Sequence, residues 1–270
     1  MTDLLEMDFI RNALLISLLL SVLFGIFSFF VVMRKMVFMG AGIAHTAFGG
    51  VALGIYFSLS PFWTSLFFCS LSAIAISALA RKGKIGYDTG IGIFFSFSMA
   101  LGAIMIALRK SYAFDLSGYL FGNILAVTTF DLWVMLVATF IFIPFILIFL
   151  QKILFMTIDE QVARASGIAV EKLDAFLMLF LAWLIVLSIK IVGIILVSAL
   201  IVLPASFGML LHYNYRKILI SGILYTITIM VGGLLGSYAG DIPAGATMVI
   251  LGITIYFITA LIKNILTDKS

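Results

Sequence analysis

The sequence predicts an all-α fold, a polytopic bundle of transmembrane helices. Three observations carry this. Of 270 residues, 64% are hydrophobic and only 10% charged; the charges are concentrated between apolar runs; and stretches such as Asn12 to Met33 and Leu132 to Leu150 hold no charged side chain. About 20 apolar residues in helical form cross a bilayer. Unpaired backbone amides are too costly in hydrocarbon for anything but helices or a closed barrel, and the sequence lacks the sustained apolar/polar alternation of a barrel.

The first span is expected at Phe9 to Met33. It has no basic leader and no small-residue cleavage site, so it is read as retained structure. Further spans follow at Ile43 to Leu59, Phe62 to Ala80, Thr89 to Leu108 and Asp131 to Leu150. Ser117 to Val127 is apolar but too short to cross, which predicts a half-helix or re-entrant piece covered by other helices. The run Leu173 to Leu211 is too long for one crossing. Ser188, Lys190 and Gly193 interrupt it, so it divides into Leu173 to Ile189 and Ile191 to Leu211. Ile218 to Ser237 and Pro243 to Ile262 bring the expected total to about nine spans, forming a single transmembrane domain over residues 1–270.

Orientation follows from the basic residues, which short cytoplasmic loops retain. Arg34 and Lys35, the Arg81 to Lys84 run, Lys152, Arg164 and Lys172, Arg216 and Lys217, and Lys263 and Lys269 fall on one side of this arrangement. Arg109 and Lys110 are exceptions. The N-terminus is therefore expected outside and the C-terminus inside, and the net charge of +4 reflects this asymmetry rather than a nucleic-acid surface. Cys69 stands alone and forms no internal disulfide. No glycine loop followed by Lys-Ser/Thr is present, so any ATP that powers this protein is bound by another chain.

The longest polar interruption is Thr157 to Lys172. Thr157 with Glu160 three residues on reads as a capping box, and Gly167 as a helix end, which predicts a short helix outside the membrane. Two readings fit it: an amphipathic connector, or a coupling helix seated in a groove of a cytoplasmic ATPase. In the second, Ala163 and Gly167 permit close approach while Asp159, Glu160 and Arg164 orient the contact.

A second focus opens the second span. Gly42, Thr46, Gly50 and Gly54 recur every four residues, a ridge that lets a neighbouring helix approach closely. Ala41, His45 and Gly49 form the adjacent stripe. An ionisable side chain facing lipid is costly, so His45 is directed toward protein, as a hydrogen-bonded core residue, or toward a water-filled path. Gly232, Gly236 and Gly240, and Gly92, Ser96 and Ala100, are two more small-residue stripes. His212 is read as interfacial beside Tyr213, Tyr215 and Arg216. Asp88, Asp115, Asp131 and Asp241 sit near span ends, where capping and solvation are expected.

These pieces, in order and spacing, make the chain resemble the membrane-spanning permease subunit of bacterial zinc and manganese ABC importers, which is related in architecture to the vitamin B12 and siderophore permeases (type II importers). The resemblance runs from Met33 to about Ile262. It rests on Phe38 to Gly50, Asp88 to Gly92, Gly118 to Leu125, Asp159 to Gly167, Lys190 to Gly193 through Leu203-Pro204-Ala205, and Asp241 to Ala246. Where many such permeases have an aspartate four residues before the histidine, this chain has Ala41, and Gly49 stands where proline is common.

The resemblance implies a homodimer in the bacterial plasma membrane, which is no enzyme itself and binds no nucleic acid or permanent cofactor. Each copy docks a cytoplasmic ABC ATPase, which holds the ATP, through Asp159 to Gly167. An extracytoplasmic metal-binding protein delivers Zn2+ or Mn2+, Asp241 is a candidate outer contact, and His45 is the candidate metal ligand on the path. Its site is completed by His45 of a second subunit or by water. Two alternatives stay open: an ABC permease for a metal chelate or cofactor, and an ion-coupled secondary metal transporter.

Overall fold

The computed structural model describes residues 8–81, 85–109, 122, 124 and 127–267. Their regular structure is helical: α1 (Asp8–Met33), α2 (Met39–Tyr56), α3 (Pro61–Arg81), α4 (Tyr87–Arg109), α5 (Thr129–Ile158), α6 (Glu160–Ala165), α7 (Val170–Leu200), α8 (Leu203–Leu211), α9 (Tyr215–Gly240) and α10 (Ala244–Thr267). Among the described residues, 8 helices are long and apolar enough to cross a membrane. That is one fewer than expected, because the stretch Val170–Leu211 counts once although it holds 42 residues. Straight, it would measure about 63 Å, twice a bilayer core. It is not straight: Gly193, with φ 79° and ψ 165°, breaks α7 where the sequence divides it. The expected half-helix at Ser117 to Val127 falls largely outside the described residues, as does Asp115.

The chain forms two compact units, each assembled from separated pieces: Met1–Val32, Ser117–Val137 and Lys190–Ser270 in the first, Met33–Leu116 and Ala138–Ile189 in the second. In lipid every polar group needs an internal partner, and both units meet this in the same way. Buried hydroxyls fold back onto the carbonyl four residues earlier, as in Ser17 to Ala13, Thr46 to Gly42, Ser188 to Leu184 and Thr226 to Gly222. No described buried side-chain nitrogen or oxygen is left without a partner.

In the first unit, α1 packs against α8 and α9. A Cβ on Gly25 would lie 2.9 Å from Ile223 Cα, and Ser28 Oγ accepts a 2.9 Å hydrogen bond from the Ala205 amide. That amide is an orphan donor in the first turn of α8, whose N-cap Val202 provides no side-chain acceptor, so a serine on another helix caps it. Gly208 meets the Ile218 backbone and Gly222 the Pro204 backbone, joining α8 to α9 with almost no side chain between them. The C-terminal ends of α1 and α8 and the start of α9 therefore lie at one end of this unit. From Lys190 to Leu211 is about 33 Å of helix, one crossing in itself.

In the second unit, α2 is clasped between α3 and α4. A phenylalanine cluster, with Phe142 stacked on Phe180 at 4.7 Å and Phe145 edge-on to Phe180 at 4.8 Å, joins α5 to the first part of α7. Trp183 Nε1 closes it onto α3 through a 2.7 Å hydrogen bond to Ser70 Oγ.

Candidate functional site

The ridge expected on α2 is present and faces two ways. A Cβ on Gly42 would overlap Ile91 of α4, and one on Gly49 would stand 2.8 Å from Ser98 O; Gly50 meets Ser65 Cα at 2.5 Å, and Gly54 meets Pro61 Cα at 2.8 Å. Gly42 and Gly49 thus admit α4, and Gly50 and Gly54 admit α3. Thr46, buried between them, satisfies its hydroxyl on Gly42 O at 2.8 Å. The other two stripes behave differently. Gly92, Ser96 and Ala100 lie on an exposed face of α4, and α4 buries Ile91, Ser98 and Gly102 instead. On α9 the closest approach is at Gly233, where a Cβ would meet Met248 Cα at 2.8 Å, and Gly232, Gly236 and Gly240 are exposed. Four-residue spacing marks a face without saying what the face meets.

His45 sits on the side of α2 turned away from α3, since residues 45 and 50 are 500° apart along the helix at about 100° per residue. It is half-buried and packs edge-on against Phe95 of α4, with ring centroids 5.0 Å apart. Ala41 follows the same stripe and is also half-buried. Among the described residues no three His, Cys, Asp or Glu side chains gather so as to hold a metal ion. One copy of the chain therefore offers a single imidazole at this place, where Zn2+ commonly takes four ligands.

The polar interruption forms the expected short helix, with a different cap. α5 continues through Thr157, whose hydroxyl donates to Ile153 O at 2.7 Å, so Thr157 caps nothing. Asp159 is the N-cap of α6, its carboxylate accepting from the amides of Gln161 and Val162 at 2.9 and 3.0 Å. Gly167 ends the helix at φ 79°. Its amide reaches Arg164 O and the Ile168 amide reaches Ala163 O, at 3.0 and 3.1 Å, the paired bonds of a Schellman motif.

Asp159, Arg164 and Gly167 are exposed and Glu160 partly so, whereas Ala163 is fully buried. Ala163 therefore seats α6 on its own chain and is not a free surface for close approach. The outward face instead carries Ile158 and Val162, 76% and 47% exposed and four residues apart.

Beneath α6 lies a cluster that sequence reasoning missed, having read its basic members only as markers of sidedness. Asp174, in the first turns of α7, is completely buried. Arg34 pairs with it and donates to Tyr87 Oη at 3.3 Å. Ser77 donates to its other oxygen at 2.5 Å, and Arg81 stands 3.6 Å away. Burial pulls the Arg34 guanidinium down, but the carboxylate of Asp174, with smaller help from Tyr87 and Glu160, outweighs this and holds it above its ordinary value. The one readable signal was Asp174 itself, an acid in an otherwise apolar run.

At the opposite end of α5, Asp131 accepts from Lys190 Nζ at 2.6 Å and from the Thr128 hydroxyl and amide at 2.7 and 3.1 Å, while its own amide donates to Thr128 Oγ at 3.3 Å. Thr128 is therefore the cap, and Asp131, buried rather than solvated, answers it as the third residue of a capping box and also holds Lys190. Asp88 lies in the first turn of α4, and His212 is the C-cap of α8. Asp241 is exposed at the C-cap of α9, in left-handed conformation at φ 50°.

The chain is 34% identical over 258 residues to the manganese transport system membrane protein MntC of Listeria monocytogenes, spanning 96% of this chain and 92% of that one. It is 30% identical over 252 residues to the high-affinity zinc uptake system membrane protein ZnuB of Haemophilus influenzae, spanning 93% and 96%. Among solved structures, PsaBC from Streptococcus pneumoniae in complex with Fab aligns with a TM-score of 0.82 at 31% identity, covering 96% of this chain and 93% of that chain. Residues 6–263 match the ABC 3 transport family, and the chain belongs to that family.

Proposed function

We propose that this chain is the membrane permease subunit of an ATP-driven importer of divalent transition metal ions, Mn2+ or Zn2+, acting as a homodimer in the bacterial plasma membrane. The observation that carries the reading is membership of the ABC 3 transport family over almost the whole chain, with relatives named for manganese and zinc uptake. The 270 residues act as one permease with no covalent chemistry of their own. ATP is bound and hydrolysed by a separate cytoplasmic subunit that docks on α6 through Asp159, Val162 and Arg164 with the neighbouring Ile158, while Glu160 turns toward Arg34. An extracytoplasmic binding protein delivers the ion, with Asp241 as an outer contact.

His45 supplies one nitrogen to the passing ion, and His45 of the second copy and water supply the rest. Such a site is weak, which suits a path because the ion must leave it. The N-terminus is outside and the C-terminus inside. The shared end of α1, α8 and the start of α9 supports this, because it puts Arg34 and Lys35 on the same side as Arg216 and Lys217, as positive-inside sorting requires.

The test is ATP-dependent uptake of Mn2+ and Zn2+ into proteoliposomes holding the permease and its ATPase, supplied with the binding protein. Uptake is expected in the wild type and about tenfold lower in His45→Ala, the effect of losing one contact of about 1.4 kcal/mol. Unchanged uptake of both ions by the variant removes His45 from the path, and wild-type uptake without ATPase overturns the whole reading.

A further inference from the structure

The charges at the inner end of the second unit alternate in sign along one continuous line. Glu171 Oε1 lies 3.3 Å from Arg164, Arg164 lies 2.7 Å from Glu160, Glu160 lies 3.9 Å from Arg34, and Arg34 pairs with Asp174. The line starts in solvent, with Glu171 67% exposed, and ends at an Asp174 carboxylate that is 0% exposed. It is also a junction of elements. Arg34 lies in the segment leading into α2, Ser77 and Arg81 end α3, Tyr87 begins α4, Glu160 begins α6 and Asp174 belongs to the start of α7. Arg81 closes the ring by donating to Glu171 O at 3.0 Å.

Two features distinguish the cluster from ordinary surface pairing. Most exposed ion pairs contribute little, whereas a buried carboxylate must keep its partners or bear a large desolvation cost. Asp174 is therefore tied to Arg34 and Ser77, and a shift of either has to be followed by the rest. Secondly, the three helices anchored here, α2, α3 and α4, are those packed together through the α2 glycines, and they carry both His45 and the Phe95 ring that touches it. Close glycine contacts carry displacement as rigid motion, since little soft side chain lies between the helices to absorb it.

We propose that the Arg34–Asp174 pair is the joint that transmits movement of α6 to α2, α3 and α4, with Glu160 as its input. This rests on the reading that α6 meets the ATPase. A pull on α6 moves Glu160, Glu160 draws Arg34, and Arg34 with Asp174 carries the inner ends of the three helices. Glu160 and Arg34 are thus positioning residues for transport. Neither touches the ion.

The experiment uses the permease–ATPase assembly in proteoliposomes with the binding protein and Mn2+, and measures uptake and ATP hydrolysis together. Three variants are compared with wild type: Glu160→Gln, its charge-retaining control Glu160→Asp, and Arg34→Lys, which keeps the charge and loses the planar fork. The expected result for Glu160→Gln is retained assembly and hydrolysis, unfolding temperature within about 2 °C of wild type because the residue is partly exposed, and uptake per ATP lowered about tenfold, a typical coupling between sites. Glu160→Asp recovers most of the ratio and Arg34→Lys lowers it.

Unchanged uptake per ATP in both Glu160→Gln and Arg34→Lys overturns the proposal. Loss of the ATPase from the Glu160→Gln assembly overturns it too, making Glu160 a docking residue. If the wild-type permease captures no ATPase at all, the underlying reading of α6 has failed instead, which the wild-type sample shows before any variant is compared.

Discussion

At the scale of single residues, the glycines divide sharply by what stands opposite them. Gly50 faces Ser65 Cα at 2.5 Å, backbone that cannot turn aside, so Gly50→Ala is expected to lower stability by about 1 to 3 kcal/mol, the range for overpacking. Gly92 has nothing within 4 Å, and Gly92→Ala should stay within about 0.5 kcal/mol of wild type or gain slightly from helix propensity. Unfolding temperatures in detergent check both, and equal losses at the two sites would refute the packing assigned to α2. Gly122 and Gly193 make a harder case. Both have positive φ, and a Cβ on Gly122 would come within 2.3 Å of the Gly193 amide nitrogen, so strain and collision add. Gly122→Ala is expected to cost more than Gly50→Ala in the same assay. The sequence displays these residues only as glycines; which ones are irreplaceable depends on the atom each one faces.

At the scale of elements, α6 is short enough that its ends decide whether it forms. Six residues give almost no intrinsic helical stability, so two amide bonds to Asp159 and the glycine-terminated C-cap supply much of what holds it. Asp159→Ala should destabilise α6 by about 1 kcal/mol, seen as faster amide exchange over residues 160–165, while Thr157→Ala leaves that exchange unchanged because its hydroxyl serves α5. The reverse pattern would restore the capping box that the sequence suggests. Helix and end glycine were readable from spacing. The cap was not, because Thr157 and Asp159 both suit an N-cap and only the length of α5 decides between them.

The buried cluster also acts on elements. Removing Arg34 alone strands Asp174 in the interior, so Arg34→Met is expected to destabilise by about 3 to 5 kcal/mol. Arg34→Met combined with Asp174→Leu should recover part of that loss, since no uncompensated charge remains. A double variant no more stable than the single one would mean that Ser77 and Arg81 hold the carboxylate without Arg34.

At the scale of the whole molecule, sidedness joins the fold to its proposed task. On the proposed topology, in which residues 170–211 cross twice, α6 lies inside and the α9–α10 turn outside. A membrane-impermeant maleimide should label Ile242→Cys in right-side-out vesicles and Ala165→Cys only in inside-out ones; both positions are exposed, and native Cys69 is fully buried. Labelling of both from one side would remove the double crossing.

The sequence by itself determined that this chain is helical and lives in a membrane, roughly where its spans lie, the break at Gly193, the short helix after Ile158 and the family resemblance. Composition, hydrophobic run length and glycine placement are local properties that need no partner to have meaning. Only the tertiary structure decided which small-residue faces are packed, that Ser28 caps α8, that Ala163 is hidden, and that Asp174 gathers Arg34, Ser77 and Arg81. Ser28 and Ala205 stand 177 positions apart, and Arg34 and Asp174 stand 140 apart. In lipid such polar groups must find one another, but spacing along the chain does not state which ones will.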